Sequence, residues 1–73
     1  ELEEIVGAVL ARMPADARLL LVLRDFEQLS YEEISQITEL SIVNVKSRLH
    51  RARQLFKRLF TPWMDWLPEG TLP

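Results

Sequence analysis

The segment SYEEISQITELSIVNVKSRLHRAR, residues 30–53, decides the fold, because it contains two helix starts separated by a short turn. Ser30, with Glu33 three residues later, forms the pattern of a capping box, in which each side chain accepts a hydrogen bond from the other residue's backbone amide. A helix of about eight residues follows. Leu40 lies in the turn, and Ser41 suits the cap of the next helix. The segment therefore predicts a helix-turn-helix.

Apolar residues in these two helices predict which side of each is buried. In the shorter helix we expect Ile34 and Ile37 to face inward. In the longer helix the apolar residues are three and four positions apart, which predicts one narrow buried stripe that ends before Thr61 and Pro62. The stripe consists of Ile42, Val45, Leu49, Ala52, Phe56 and Leu59.

Two further helices precede this segment. Apolar residues at helical spacing predict a first helix over about residues 2–12. A second helix should begin near Asp16 and run to about Leu29, and its almost uniformly apolar middle predicts that it is the most buried element. The fold class is therefore all-α, a small four-helix domain over residues 1–60 with a C-terminal helix-turn-helix. A tail containing proline and tryptophan follows over residues 61–73, and we expect at least one of its tryptophans to be buried.

Charge is strongly segregated along the chain, although the net charge is only −2. The residues between Ser41 and Phe60 include six lysines and arginines and no acid, whereas the forty residues before them hold nine acids and three arginines. A helix with this charge attracts polyanions, of which nucleic acid is the favoured candidate. The alternative is a solvated basic face that binds nothing.

The side of the long helix opposite the apolar stripe mixes small, amide and cationic groups in its first turns. Such groups can donate to or contact base edges in the major groove, and the purely cationic later turns suit phosphates. At about 100° per residue this side carries Val43, Asn44, Ser47, His50, Arg51, Gln54 and Arg58, with Lys46, Arg53 and Lys57 on one flank and Arg48 on the other.

Several classes of function are disfavoured by the composition. Cysteine is absent, which excludes disulfides and thiolate chemistry, and no apolar run approaches the ~20 residues of a membrane span. His50 is the sole histidine and has no second ligand at metal-binding spacing. We therefore expect no catalytic residue, no metal, no cofactor, no membrane insertion and no enzymatic activity. The start at Glu1, without a methionine, suggests a piece of a longer protein.

Two sequence blocks carry a family resemblance. LRDFEQLSYEEI at residues 23–34 and VKSRLHRAR at residues 45–53 resemble region 4 of bacterial sigma-70-family transcription factors, most closely the extracytoplasmic-function (ECF) branch. The resemblance implies the DNA-binding domain of an alternative sigma factor, a monomer that acts in the bacterial cytoplasm. Such a domain recognises the −35 promoter element as double-stranded DNA and docks on the β flap of RNA polymerase. In this branch it is often masked by an anti-sigma factor.

The resemblance and the helical wheel together assign roles to individual residues. Base reading is expected of Lys46, Ser47 and Arg51, with Val43 and Asn44 beside them on the same face. Contacts with the DNA backbone are expected of Ser30, Tyr31, Arg48, His50, Arg53 and Lys57, with the free amides at the start of the third helix favouring a phosphate. The apolar faces of the first two helices are core by default, but part of that surface accepts the flap in the family, and the candidates are Leu2, Ile5, Val9, Leu20 and Leu23.

The chain departs from the family pattern at two places. Glu39 stands where the family usually has glycine in a left-handed conformation, so we expect a differently shaped turn. Val43 and Asn44 replace a common Gly-Thr pair, so the preferred −35 sequence should differ. Two alternatives to a DNA-reading domain stay open, namely a protein-interaction module and a LuxR-like regulator domain that would bind palindromic sites as a dimer.

Overall fold

The computed structural model describes residues 1–66, which form helices packed around one core and contain no strand. The elements in chain order are α1 (Leu2–Ala11), α2 (Ala15–Leu21), a π-helical segment (Val22–Phe26), α3 (Tyr31–Thr38), α4 (Ile42–Phe60) and a 3-10 segment (Thr61–Trp66). The predicted all-α, four-helix architecture is confirmed. Among these elements, no helix combines the length and hydropathy that crossing a bilayer requires.

The middle of α4 is the centre of the core. Val45, Leu49 and Ala52 are buried there and pack with buried residues from the other helices. The partners in this cluster are Met13, Leu20, Leu21 and Ile34, and Phe56 and Leu59 pack partly buried against it. The apolar stripe is therefore confirmed over most of its length. Its first residue, Ile42, lies at the exposed start of the helix.

The second helix differs from the prediction in length and in burial. Its α-helical part ends at Leu21, and the π-helical segment carries the chain only to Phe26, where the Glu27 amide donates to the Val22 carbonyl at 2.9 Å. The expected extension to Leu29 is wrong. The expected burial of the apolar middle holds for Leu20 and Leu21, two of the seven α-helical residues, and fails for Leu19. Leu19 is 46% exposed because a seven-residue helix lying on a single core turns its far side to solvent.

The start of α3 confirms the predicted capping box. The Ser30 hydroxyl accepts from the Glu33 amide at 3.1 Å, and the Glu33 carboxylate accepts from the Ser30 amide at 2.8 Å. The hydrogen bond donated by the Ser30 amide stabilises the ionised carboxylate and lowers the pKa of Glu33 below its ordinary value. Ile34 is fully buried as predicted, but Ile37 is 57% exposed. Three residues rotate a helix by about 300°, so Ile37 lies to the side of the narrow contact that α3 makes with the core.

The turn between α3 and α4 keeps the left-handed conformation that the glycine of the family would supply. Glu39 has φ 62° and ψ 16°, so the expectation of a differently shaped turn is wrong. Local hydrogen bonds hold the turn, since the Glu39 amide donates to the Ser35 carbonyl at 2.9 Å and the Thr38 hydroxyl donates to the Ile34 carbonyl at 2.7 Å. Glu39 therefore adopts the left-handed conformation although this conformation is strained for a residue with a side chain.

Replacing Glu39 with glycine should therefore stabilise the domain. We expect Glu39→Gly to raise the free energy of unfolding by about 1 kcal/mol relative to Glu39→Ala, because both variants remove the carboxylate and only glycine relieves the left-handed strain. Urea denaturation followed by circular dichroism measures the difference. Equal stabilities for the two variants would contradict the strain that we assign to this turn.

Ser41 starts α4 as predicted, and the tail begins where α4 ends. The Ser41 hydroxyl accepts from the Asn44 amide at 3.1 Å. After Phe60 the 3-10 segment packs chiefly against α4, and it leaves Trp63 37% exposed and Trp66 80% exposed. The expectation of a buried tryptophan is therefore wrong, because this segment continues α4 without folding back over the core. The proposed division at residues 60 and 61 remains a prediction, and residues 67–73 of the tail lie outside the described part.

Candidate nucleic-acid interface

The first turns of α4 present a continuous polar face. The five residues predicted to read bases are all exposed there, namely Val43, Asn44, Lys46, Ser47 and Arg51. Val43, the large apolar side chain of this set, is 75% exposed. The Arg51 guanidinium donates to the Ser47 hydroxyl at 3.4 Å, so these two side chains lie along the same edge of the helix. The structure thus brings the predicted set together, while the role of each residue in base reading remains a prediction.

The residues predicted to contact the DNA backbone come from two helices. Arg48, His50, Arg53 and Lys57 are exposed along α4, whereas Ser30 and Tyr31 are half-buried at the start of α3. Arg48 lies on the flank of α4 that faces α2, where it lines a cleft of about 300 Å³ together with Asp16, Leu20 and Arg51. The exposed face of α4 is therefore bordered by α2 on one flank and by the start of α3 on the other.

The start of α3 has fewer free amides than the sequence suggested. The amides of Ser30 and Glu33 already donate within the capping box, so the Glu33 carboxylate lies where a phosphate was expected. Tyr31 and Glu32 contribute the remaining amides of the first turn, and the Ser30 hydroxyl, which accepts within the box, keeps its own proton for donation. A phosphate at the start of α3 would therefore find two of the backbone amides already hydrogen-bonded within the capping box.

Arg53 is held by an acid of the π-helical segment, Asp25. Its Nε donates to Oδ2 of Asp25 at 2.9 Å, and Nη2 makes a second bond to Oδ1. These bonds with Asp25 raise the pKa of Arg53 above its ordinary value. Because the two residues are 28 positions apart, no local pattern signals the contact. In the free domain Arg53 therefore links α4 to the π-helical segment.

Removing the Asp25 carboxylate should free Arg53 for DNA. We expect Asp25→Asn to tighten DNA binding several-fold and to cost less than about 1 kcal/mol of stability, because both side chains of the ion pair remain partly exposed to solvent. The slope of log K against log salt concentration should steepen by about 0.9, the value for one additional phosphate contact. Titration of labelled duplex at two salt concentrations measures both effects. Glu27→Gln is the matched control, since it removes one exposed acid from the same region without touching Arg53, and an equal gain from it would indicate a general charge effect.

Three of the residues proposed for partner docking are not available on the surface. Ile5, Val9 and Leu20 are buried, because α1 packs on α4 and Leu20 belongs to the central cluster. In this conformation a partner cannot contact these side chains, and the earlier assignment is corrected to a core role for all three. Leu2 and Leu23 are half-buried, so part of each side chain can still be reached by a partner.

The sequence matches the family described as Sigma-70, region 4, over residues 3–56, which is most of the chain and includes all of α2 and α3. The chain belongs to this family. The predicted recognition is thereby confirmed and is favoured over the LuxR-like alternative. The match also confirms that this region 4 domain is not an enzyme, since the family comprises transcription-initiation factors.

Curated relatives of this region 4 domain place it in the ECF branch. It is 38% identical over 64 residues to the "ECF RNA polymerase sigma-E factor" of Haemophilus influenzae, covering 88% of this chain and 34% of the relative. It is 37% identical over 62 residues both to the "RNA polymerase sigma-H factor" of Pseudomonas aeruginosa and to the "ECF RNA polymerase sigma-E factor" of Escherichia coli, covering 85% of this chain and 32% of each relative. The chain thus spans about a third of the length of these proteins. No solved structure matches it significantly.

Proposed function

We propose that this region 4 domain recognises a −35 promoter element as duplex DNA by inserting the first turns of α4 into the major groove. The observation that carries the proposal is the exposed face of α4, on which cationic, amide and small side chains lie together and no acid of the same helix interrupts them. A helix-turn-helix presents the N-terminal part of its second helix to base edges, and this is where Asn44, Lys46 and Ser47 are exposed.

The distribution of charge supports this orientation. The cations of α4 continue past the predicted base readers to Lys57 and Arg58 in its last turn. Phosphates flank the major groove on both sides, so a helix with readers at one end and cations along its length can fix its register while it reads sequence. Most of the acids lie instead on the earlier helices and their connections, where they disfavour the opposite orientation by repulsion from the phosphates.

Selection from a randomised duplex library tests this proposal. The 73-residue chain should enrich a defined short sequence and bind it weakly, with log K falling by about 0.9 per log unit of salt for each phosphate contact. Affinity should be modest because only one promoter element is available to a domain of this size. Recovery of an unenriched library at low salt, where electrostatic binding is strongest, would contradict sequence recognition by α4.

The proposal includes docking on RNA polymerase as part of directing transcription initiation. Leu2 and Leu23, which are half-buried, are the remaining predicted contacts for the β flap. An anti-sigma factor is proposed as a second partner, and the domain is proposed to act as a monomer in the bacterial cytoplasm. Size-exclusion chromatography with light scattering on the free domain and on its DNA complex tests the monomer, because a dimer on a palindromic site would have twice the protein mass.

A second candidate function is a protein-interaction module in which DNA contact is weak. The observation favouring it is the set of large apolar side chains left exposed away from the face of α4, namely Leu19, Phe26 and Ile37, at 46%, 53% and 57% exposure. A pull-down with the polymerase β flap, run beside a gel shift at two salt concentrations, separates the candidates. Flap binding without any salt-sensitive DNA shift would favour the interaction module.

A further inference from the structure

The ring of Tyr31 lies against two cations that come from different elements. The Arg24 guanidinium carbon is 4.5 Å from the ring centroid, and the Lys46 ammonium nitrogen is 5.2 Å from it. Arg24 belongs to the π-helical segment, Tyr31 is the first residue of α3, and Lys46 lies in the second turn of α4. Both distances fall within the range of cation–π attraction. One aromatic ring therefore connects the three elements that meet at this border of the interface.

Arg24 is itself fixed in place. Its Nη1 donates to the Leu29 carbonyl at 2.8 Å, and this bond spans the connection between the π-helical segment and α3. In the same connection the Leu29 amide donates to the Leu23 carbonyl at 3.0 Å. Arg24 is half-buried, so the ring of Tyr31 contacts one cation held by the fold and a second, Lys46, on the exposed face of α4.

Lys46 gains from such a contact because of its own chemistry. A lysine side chain has a flexible four-carbon stem, and ordering it on a ligand has an entropic cost. A side chain that already rests on an aromatic ring has lost part of that freedom before binding. Lys46 is exposed while it contacts the ring, as are Asn44 and Ser47 on the same helix.

We propose that Tyr31, held by Arg24, is a positioning residue that places the Lys46 ammonium for base reading. The inference rests on the proposed function of α4 and deepens it, because it gives the ring of Tyr31 a part in sequence preference that needs no contact with a base. It differs from the role that the resemblance implies for Tyr31, which is a phosphate contact near the start of α3. The two roles use different atoms, since positioning needs the aromatic ring and phosphate binding needs the hydroxyl or the amide.

A double-mutant cycle on the 73-residue chain tests the positioning role, with the duplex enriched by the wild-type chain and its single-base variants as probes. Lys46→Ala should reduce discrimination at one base position roughly tenfold. Tyr31→Leu should reduce discrimination at the same position by roughly 2–5-fold and should cause no further loss in the Lys46→Ala background. Tyr31→Phe, which keeps the ring and removes the hydroxyl, is the matched control and should preserve discrimination. Losses that add in the double variant, or a Tyr31→Phe variant as weak as Tyr31→Leu, would overturn the inference in favour of a direct contact.

A measurement without DNA keeps this test separate from the proposed function. In the wild-type chain, ring currents from Tyr31 should shift the ε-methylene proton resonances of Lys46 upfield, and Tyr31→Phe should retain the shift. Lysine resonances at ordinary positions in the wild-type chain would overturn the inference even if Tyr31→Leu failed to fold. A chain that enriches no DNA sequence would overturn the proposed function and this inference together. Shifted resonances with an unchanged base preference in Tyr31→Leu would overturn the inference alone.

Discussion

Leu49→Ala should lower the free energy of unfolding by about 2–5 kcal/mol, the largest stability effect that we expect from a single substitution in this domain. Leu49 is 1% exposed and lies in the middle of α4, in the cluster that joins α2, α3 and α4. Truncation removes apolar contacts and leaves a cavity between elements that are too short to close it. Small domains have net stabilities of about 5–15 kcal/mol or less, so this loss should leave a substantial unfolded fraction.

Urea denaturation followed by far-UV circular dichroism measures the effect, with Leu19→Ala as the matched control. The control makes the same chemical change at a leucine that is 46% exposed on α2, so it should cost well under half as much. Similar losses for the two variants would contradict the central position that we assign to Leu49. Because α4 carries both the core stripe and the face proposed to bind DNA, Leu49→Ala should also weaken DNA binding, and an osmolyte that restores folding should restore that binding.

The features that could be predicted from the sequence are those governed by short-range rules. The capping box at Ser30 and the cap at Ser41 are hydrogen bonds across three residues, so the order of residue types is enough to predict them. The buried stripe of α4 follows from helical periodicity because the spacing of apolar residues recurs over several turns of a long helix. The exposed polar face of α4 follows from that stripe by exclusion, and this is why Lys46 and Ser47 were correctly expected at the surface.

Features that depend on distant pairing could not be predicted in the same way. The bond between Asp25 and Arg53 joins residues 28 positions apart, and the sequence around either residue does not indicate the other as its partner. The contact of Arg24 with Tyr31 requires the connection after the π-helical segment, whose Gln28 has a left-handed φ of 60° that no residue preference indicates. The contacts of Arg24 and Arg53 are therefore determined by how the π-helical segment, α3 and α4 pack together.

The behaviour of the α3–α4 turn shows how tertiary structure outweighs a local preference. Glutamate disfavours the left-handed conformation by about 1–2 kcal/mol, yet Glu39 adopts it. Ile34 of α3 and Val45 of α4 are buried in the same core, and this burial offsets the cost of the left-handed residue between the two helices. The low preference of glutamate for the left-handed conformation therefore indicates how much strain the turn contains, but it does not predict the shape of the turn.

Two arginines of α4 that are three positions apart should respond differently to substitution by alanine. Arg51→Ala should cost about 1–3 kcal/mol of DNA binding and relax the preference at one base position. Arg51 lies beside Ser47 on the edge that faces away from the core, where a guanidinium can donate two bonds to guanine. Arg48→Ala should instead weaken binding to every sequence alike and reduce the salt slope by about one contact, because Arg48 also lines a groove between α2 and α3, with Leu19 and Ile37, that does not include Arg51.

Titrations of the enriched duplex and its single-base variants with each alanine variant, at two salt concentrations, measure both effects. Lysine substitution is a matched control at each site, since it keeps the charge and removes the paired donors. Arg48→Lys should therefore retain nearly full affinity, whereas Arg51→Lys should recover the salt slope without recovering the base preference. If Arg51→Ala weakened every duplex equally and Arg48→Ala changed the preferred base, the two roles would have to be exchanged. Such a result would move the reading edge of α4 toward the groove between α2 and α3, which is lined by Arg48, Leu19 and Ile37 and does not include Arg51.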